Sequence, residues 1–226
     1  MTRIIFHIDV NSAYLSWTAI SLLKKGEPTD LRTIPSIIGG SIEDRHGIVL
    51  AKSTPAKKHG IVTGEPIIQA MQKCPNLIAY PPDFALYSKC SRAMFDILSE
   101  YSDRIEPFSI DEGFLDYTGM EALFGPPIEA AKAIQKRILA ELGFTVNIGI
   151  STNKLLAKMA SDFEKPDKVH TLFPPEIPKK MWPLPVRDLL FLGKASEQRL
   201  LQEGIKTIGD MARSGEAELK RILGEK

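Results

Sequence analysis

The sequence predicts an α+β fold with a ferredoxin-like βαββαβ order, a small insertion and a helical tail. Apolar residues alternate with other residues from 3 to 10, which is typical of a strand. A long amphipathic helix follows Asp83, with apolar residues at helical spacing as far as Tyr101. When the segment 27–80 is left out, the elements run strand, helix, strand, strand, helix, strand. This is the ferredoxin-like order.

The insertion follows the first strand and helix. Asn11 or Ser12 is predicted to cap a helix that runs to about Lys25 and ends at Gly26. Residues 27–46 are predicted to form a loop, because prolines and a glycine pair interrupt them. The later elements are predicted as a strand at 48–51, a helix opened by Thr54-Pro55 and closed by Gly60, a helix from Pro66 to the residue before Pro75, and an extended run at 77–80.

The second half of the chain supplies the rest of the ferredoxin-like order. Asp83 is the predicted N-cap of the long helix, and a hairpin follows that helix. From Pro174 the chain is first proline-rich and then forms short helical pieces between glycine turns, which predicts a separate helical unit. Between the hairpin and this tail, the predicted elements are a helix at 128–142, a strand at 144–150 and a helix at 153–163.

The composition allows a packed core but does not by itself indicate what kind of partner the protein binds. The 226 residues are 43% hydrophobic and 25% charged, with a net charge of only +1. The total charge therefore does not indicate a polyanion partner. The segment 45–73 nevertheless holds five basic residues, beginning with Arg45, against one acidic residue, Glu65. A basic segment opposite an acidic site fits a nucleic-acid or nucleotide ligand.

The cysteines and the first residues indicate the compartment. Cys74 and Cys90 have no metal-like spacing, so free thiols in a reducing compartment are expected. His7 and Asp9 interrupt the apolar residues near the N-terminus, which excludes a signal peptide or a membrane span there. We expect a cytoplasmic protein.

Three carboxylates form the main candidate site. Asp111 and Glu112 lie between the short apolar stretches 104–108 and 113–117, the pattern of a β-hairpin, and Asp9 ends the first predicted strand. If these strands are neighbours, the three carboxylates need a cation to offset their repulsion and desolvation. Mg²⁺ with a phosphate co-ligand suits such oxygen donors, and two ions about 4 Å apart would bridge a triphosphate. A solvated turn, with Asp9 as a helix cap, stays open as the alternative.

Two further features are compatible with phosphate chemistry. Lys154 and Lys158 lie four residues apart on one helix face, and Lys165 returns to roughly the same side. A lysine there can offer a point charge to a phosphate, although an ordinary exposed helix has the same pattern. Tyr14 follows Asp9 by five residues, close enough to stack beneath a bound sugar, although core packing is the alternative.

Five segments together resemble the Y-family, translesion DNA polymerases of the DinB/UmuC (DNA polymerase IV) kind. The resemblance covers nearly the whole chain, and its most specific runs are Ser-Ile-Asp-Glu and Asn-Lys-Leu-Leu-Ala-Lys-Met-Ala-Ser-Asp. It implies a palm at 1–19 and 78–166, fingers at 20–77 and a thumb at 167–226. The matching segments are 6–14, 60–66, 101–106, 109–116 and 149–166.

The resemblance also implies roles for single residues. Asp9, Asp111 and Glu112 correspond to the metal ligands, with the Val10 carbonyl as a backbone ligand. Tyr14 corresponds to a steric gate that rejects a ribose 2′-hydroxyl by collision.

The residues that would bind substrates are implied in the same way. Lys165 corresponds to a lysine that contacts the incoming triphosphate. Thr54 and Lys57 stand where the family has a tyrosine and an arginine that bind the same triphosphate. The triphosphate contacts are therefore expected to differ here, because lysine lacks the bidentate geometry of arginine and threonine has a shorter side chain than tyrosine. Lys154 and Lys158 are expected to contact DNA.

The thumb of the family carries a helix-hairpin-helix whose glycine-rich turn offers backbone amides to a DNA phosphate. Here the turn spans 191–195, with Gly193 and Lys194 as the expected DNA contacts. One expected glycine is replaced by Phe191 or Leu192.

Members of the family normally continue into another DNA-gripping domain and often a clamp-binding tail. This sequence stops at Lys226, so a catalytic core without the little-finger domain is expected. Such a core binds DNA weakly, and more weakly still as salt rises. A sliding clamp stays open as a partner through that C-terminal region; a monomer without membrane contact is expected.

The expected activity is template-directed addition of deoxynucleotides to a primer 3′ end, with low fidelity and bypass of damaged templates. Primer-template DNA and deoxynucleoside triphosphates are then the partners, with two Mg²⁺ ions as cofactors. One alternative is a two-metal nucleotide cyclase on the same palm. The other is a non-catalytic DNA-binding repair relative, which Thr54 and Lys57 keep open.

Overall fold

The structure is a computed structural model that describes residues 2–40 and 47–224. Arg45, part of the predicted basic segment, lies outside these residues. Within them, the strands are β1 Ile5–Val10, β2 Ser36–Gly39, β3 Val49–Lys52, β4 Ile78–Tyr80, β5 Ile105–Pro107, β6 Glu112–Asp116, β7 Val146–Ser151 and β8 Val169–Thr171.

The helices of the described residues mostly follow the predicted order. Three short 3₁₀ helices, Leu31–Thr33, Pro174–Glu176 and Val186–Asp188, accompany them. The α-helices are α1 Ala13–Lys24, α2 Thr54–Lys58, α3 Ile67–Lys73, α4 Phe84–Ser99, α5 Glu121–Phe124, α6 Pro127–Leu142, α7 Lys154–Ser161, α8 Ile177–Lys180, α9 Lys194–Gln202, α10 Ile208–Arg213 and α11 Glu216–Leu223.

The larger sheet confirms the ferredoxin-like arrangement. Its strand order is β5-β6-β1-β7-β8, so the first strand lies between the hairpin and the strand that follows α6. The edge strand β8 pairs in parallel with β7, with Ile148 opposite Val169. β8 was not predicted, because three half-buried residues are too few to show a period of two.

The smaller sheet corrects the predicted loop at 27–46. Its strand order is β3-β2-β4, and β2 lies within that stretch as a fully buried central strand. Pro35 and Gly39-Gly40 indicated a loop, but Ile37 and Ile38 are buried between two pairing partners, which outweighs those signals. The 3₁₀ helix Leu31–Thr33 lies in the same stretch, and residues 41–46 lie outside the described part.

Of the predicted helix caps, Asp83 is confirmed and Ser12 is wrong; Asn153 is a further cap that was not predicted. The Asp83 side chain accepts a hydrogen bond from the Leu86 N–H at 2.9 Å, and α4 begins there. Asn153 caps α7 in the same way through the Leu156 N–H at 2.9 Å. Ser12, the residue before α1, makes no side-chain cap and has a left-handed backbone with φ of 49°.

The chain falls into two compact units. The first takes in the described residues of Met1–Ile8, Phe114–Lys132 and Asn147–Lys226. The second takes in those of Asp9–Gly113 and Ala133–Val146.

Within the first unit, α7 lies directly on β7. A Cβ atom at Gly149 would lie 2.0 Å from the Ala157 carbonyl oxygen and 2.4 Å from the Ser161 backbone nitrogen. Only a glycine therefore allows this approach of helix to strand. The Asn147 side-chain amide donates to the Ser161 and Glu164 carbonyls at 2.9 and 2.7 Å, which anchors the end of the helix.

The tail of the first unit has two apolar clusters. One joins α7 to the tail: Leu156, Met159 and Ala160 pack with Leu172, Met181 and Ile208. The tail therefore shares one apolar cluster with α7 and has a second cluster formed by its own residues. The second cluster consists of Val186, Leu200, Ile205 and Ile222.

Among the described residues, no helix has both the length and the apolar character that a membrane crossing requires.

Candidate active site

The end of β1 and the tip of the β5–β6 hairpin meet in the second unit. The Val10 N–H donates to the Asp111 carbonyl at 2.9 Å, and the Asn11 N–H donates to the Thr145 carbonyl at 3.0 Å. Asp9, the residue before this junction, is half-buried. Asp9 and Asp111 are far apart in the sequence, and these backbone hydrogen bonds bring them together at one end of the strands.

The hairpin tip is closed by its own hydrogen bonds. The N–H groups of Phe108 and Ser109 both donate to the Glu112 carbonyl at 3.0 Å. The Ser109 hydroxyl donates to Asp111 Oδ1 at 2.6 Å, and the Asp111 N–H donates back to that hydroxyl oxygen at 3.3 Å. Ser109 therefore fixes the orientation of the Asp111 carboxylate.

The electrostatics of the junction centre on Asp111. Burial raises the pKa of the Asp111 carboxyl, the Ser109 hydrogen bond lowers it, and the negative charges of Asp9 and Glu112 raise it again. The net direction is upward. Burial and the neighbouring negative charges destabilise the ionised form of Asp111. A cation bound beside it would offset this unfavourable electrostatic energy.

The three carboxylates do not form a ready-made metal cage. Among residues 2–40 and 47–224, no group of three or more His, Cys, Asp or Glu side chains is arranged so that it could hold a metal ion. The charges of Asp9 and Glu112 act on Asp111, but this does not by itself show that the three side chains coordinate one ion together. The ligand roles of the three residues stay predictions.

Gly113 allows the hairpin to lie against α4. A Cβ atom at this position would lie 2.6 Å from Phe95 Cε1 and 3.1 Å from the Glu106 carbonyl oxygen. A side chain after Glu112 would push the Phe95 ring of α4 aside and crowd the Glu106 carbonyl, so glycine at this position lets the hairpin lie close to the helix.

Tyr14, on the first turn of α1, lies in an aromatic cluster. Its ring stacks on Tyr87, with centroids 4.4 Å apart and planes 6° apart, and it meets Phe84 edge-on at 6.1 Å. Burial raises the pKa of the Tyr14 hydroxyl, as does the charge of Asp111. The half-buried ring is thus held rigidly near Asp111, and core packing accounts for only part of its surroundings.

The two residues predicted to bind the triphosphate from the fingers lie on α2 of the second unit. Ser53 caps this helix: its hydroxyl accepts from the Ala56 N–H at 3.0 Å and donates to the Ile34 carbonyl at 2.7 Å. Thr54 and Lys57 are exposed on the helix. Their assignment to the triphosphate stays a prediction.

The lysines of α7 belong to the first unit and differ from one another. Lys154 is exposed, with its ammonium 5.7 Å from the centre of the Phe114 ring. Lys158 is only 9% exposed and lies 3.4 Å from an Asp162 carboxylate oxygen. The other oxygen of Asp162 is 2.9 Å from the Lys165 ammonium. One carboxylate thus joins two of the predicted phosphate-binding lysines.

The backbone of the predicted thumb turn, 191–195, shows which residue stands in a conformation that favours glycine. Phe191 has φ of +67°, the left-handed region that favours glycine, and its side chain is 82% exposed. Leu192 packs instead against the second apolar cluster of the tail. Gly193 precedes α9, and Lys194, the first residue of that helix, is exposed.

We expect Phe191→Gly to stabilise the protein by about 1 kcal/mol, because a left-handed backbone costs an L-residue about that much. Urea unfolding followed by circular dichroism measures the change. Leu192→Gly is the matched control and should be destabilising, since it removes a side chain from the apolar cluster. Equal losses in both variants would contradict the assignment of the strained position to Phe191.

The model of the impB/mucB/samB family matches residues 8–162. The chain belongs to this family. This impB/mucB/samB chain is 54% identical over 217 residues to DNA polymerase IV of Clostridium acetobutylicum, covering 94% of the chain and 54% of the relative. It is 44% identical over 223 residues to DNA polymerase IV 1 of Bacillus subtilis, covering 99% of the chain and 52% of the relative.

Solved structures agree with the fold of this impB/mucB/samB chain. A Y-family DNA polymerase chimera of Dbh and Dpo4 superposes with a TM-score of 0.87 at 28% identity, covering 98% of this chain and 64% of the chimera. An insertion ternary complex of Dbh DNA polymerase gives a TM-score of 0.85 at 28% identity, covering 98% and 63%. The chain spans about half the length of the curated relatives described above.

Sequence reasoning did not single out two side chains of this site. Ser109 orients Asp111, and its only signal was its position two residues before the carboxylate pair. Tyr87 supports Tyr14, and it appeared in the sequence only as one apolar residue of the long helix. A hydroxyl beside a carboxylate pair is the one signal that could have been used.

Proposed function

We propose that this chain is the catalytic core of a template-directed DNA polymerase of the translesion type. The observation that carries the proposal is the junction of β1 and the hairpin, where Asp111 lies near the charges of Asp9 and Glu112. The relatives named DNA polymerase IV and the superposition on a ternary complex of Dbh DNA polymerase support the choice of reaction.

The donor set at this junction suits a hard divalent cation. Asp9, Asp111, Glu112 and the Val10 carbonyl are all oxygen donors, and we assign two Mg²⁺ ions to them. Held by these oxygens, such ions would supply Lewis-acid chemistry: they would lower the pKa of the primer 3′-hydroxyl and offset the charge of the leaving pyrophosphate. The mutual repulsion at Asp111 supports the assignment, because a cation relieves it.

The remaining roles fall to the chain's own side chains. Ser109 holds the Asp111 carboxylate in one orientation through its 2.6 Å hydrogen bond. Lys57 and Lys165 supply positive charge to the incoming triphosphate, and Thr54 has a shorter reach toward it than a tyrosine would have. Attack of the primer hydroxyl on the α-phosphate then extends the primer by one deoxynucleotide.

We also propose contacts with primer-template DNA and a low selectivity for the incoming base. Lys154, Lys158, Lys194 and the backbone of Gly193 are proposed to contact phosphates of primer-template DNA, so binding weakens as salt rises. A small fingers segment applies little steric selection to the new base pair, so discrimination rests mainly on pairing and damaged templates are accepted. We propose a cytoplasmic monomer, and a sliding clamp as a further partner.

Tyr14→Ala is expected to admit ribonucleotides. The rigid ring that Tyr87 supports would collide with a 2′-hydroxyl, so its removal should lower the preference for deoxynucleotides by at least about tenfold, or 1.4 kcal/mol. Single-nucleotide extension with each sugar measures the ratio. Tyr14→Phe is the matched control: it keeps the ring and should keep the preference. A loss of preference in Tyr14→Phe equal to that in Tyr14→Ala would refute collision as the cause.

One experiment separates this proposal from its rivals. A labelled primer on an undamaged or an abasic template is incubated with deoxynucleotides, with Mg²⁺ or with a chelator. Template-dependent extension that requires Mg²⁺ supports the polymerase. Cyclic product from a nucleoside triphosphate without primer would favour a cyclase, and DNA binding without incorporation would favour a non-catalytic repair relative.

A further inference from the structure

A cavity of about 350 Å³ opens in the second unit between α1, α4 and the end of α6. Cavities that take small organic ligands measure about 300–1,000 Å³. This cavity, here called the α1/α4 pocket, lies on the part of α1 after Tyr14, and none of the predicted polymerase residues lines it. Its apolar lining consists of Trp17, Ile20, Leu86, Ala93, Leu142 and Phe144.

The rim of the α1/α4 pocket is basic. Lys24, Lys25 and Lys89 line it and are exposed, and no carboxylate is among its lining residues. None of the three lysines forms an ion pair with a carboxylate in the described part of the chain. Within residues 2–40 and 47–224, three ammonium groups around an apolar lining are therefore not neutralised by a direct ion pair.

Cys90 is half-buried in the wall of the pocket, and the charges of two pocket lysines affect the pKa of its thiol. Burial raises the pKa of its thiol, while the charges of Lys24 and Lys89 act in the opposite direction. The charge of Asp83 also reaches the thiol, but one oxygen of that carboxylate accepts the Leu86 N–H as a helix cap. Two lysines from different helices thus act on one point in the wall.

We propose that the α1/α4 pocket binds a small amphipathic carboxylate, with its apolar body against the half-buried side chains of Ile20, Leu86 and Leu142 and its carboxylate among the three lysines. A bare phosphate or a nucleotide fits this pocket poorly, because a polar ligand gains no hydrophobic binding free energy from the apolar lining. The lysines favour an anion over a neutral lipid, since each ammonium acts as a point charge toward a carboxylate. This inference is independent of the proposed polymerase activity.

Decanoate, below its micellar concentration, is a suitable probe. Isothermal titration of the whole chain should show saturable binding of one decanoate, with 1-decanol at least about tenfold weaker because it lacks the charge. Lys24→Glu/Lys89→Glu should weaken decanoate at least about tenfold, and Lys136→Glu, an exposed α6 lysine outside the pocket, should leave it unchanged.

A second measurement locates the bound probe. Cys74 is buried, so alkylation of the folded chain reports mainly on Cys90, and mass spectrometry identifies the modified thiol. Decanoate should slow alkylation of Cys90, and Ala93→Phe, which fills the pocket, should abolish both decanoate binding and this protection. Circular dichroism checks that each variant is folded. Absence of saturable decanoate binding, binding unchanged by the lysine reversals, or an unprotected Cys90 in the presence of bound decanoate would each overturn the proposal.

Discussion

Asp111→Ala is expected to lower templated primer extension at least about 1,000-fold, or roughly 4 kcal/mol of transition-state stabilisation. The reason is that Asp111 is the central carboxylate of the proposed metal site, tied by its backbone to β1 and by Ser109 through its side chain. Single-turnover extension with saturating DNA and Mg²⁺ measures the loss.

The same substitution should not destabilise the fold. The pKa of the Asp111 carboxyl is raised in the folded protein, because burial and like charges outweigh the Ser109 hydrogen bond, so removing the charge at neutral pH has no net electrostatic cost to folding. Tm should therefore stay equal or rise. Asp103→Asn is the matched control: this carboxylate, 92% exposed before the hairpin, should be dispensable for both activity and Tm. Comparable extension by Asp111→Ala would remove the metal assignment.

Gly149→Ala is expected to have the largest effect on stability. The added methyl group would meet the Ala157 carbonyl oxygen at 2.0 Å and the Ser161 nitrogen at 2.4 Å, both backbone atoms that cannot turn aside. Helix α7 must then move off β7. The expected loss is about 3 kcal/mol, the upper part of the range for overpacked cores, and Tm falls by roughly 10 °C for a chain of this length.

Gly215→Ala is the control for the loss of a glycine. Its φ is −70° and a Cβ atom there meets nothing within 4 Å, so the change should stay within about 1 kcal/mol, the usual range for a helix N-cap. Thermal unfolding followed by circular dichroism compares the two variants. If Gly149→Ala unfolds like the unmodified chain, α7 does not approach β7 as closely as described.

The fold could largely be predicted because its long elements have clear periods and stops. The alternation in β1, the cap at Asp83 and the end of α1 before Gly26 each follow from local backbone chemistry. The strands β2 and β8 could not be predicted in the same way. They are three or four residues long, and their extended form depends on pairing with strands that are distant in sequence.

The candidate site could be predicted only as a set of residue types. The carboxylates stood out because Asp111 and Glu112 lie at a hairpin tip. The hydroxyl of Ser109, which orients Asp111, was indicated only by its place two residues before that carboxylate. The ring of Tyr87, which supports Tyr14, could not be predicted, because it acts through a three-dimensional contact that has no periodic signal. The replacement of a glycine by Phe191 became visible only from the positive φ at that residue.

Metal binding at the carboxylates is the central claim, and a crystal of the chain with primer-template DNA, a non-hydrolysable deoxynucleotide and Mn²⁺ tests it most directly. Anomalous scattering should place Mn²⁺ about 2.0–2.3 Å from carboxylate oxygens of Asp9, Asp111 and Glu112, beside the triphosphate. Anomalous density elsewhere, with the carboxylates of Asp9 and Glu112 more than about 10 Å apart and unbridged, would contradict the claim.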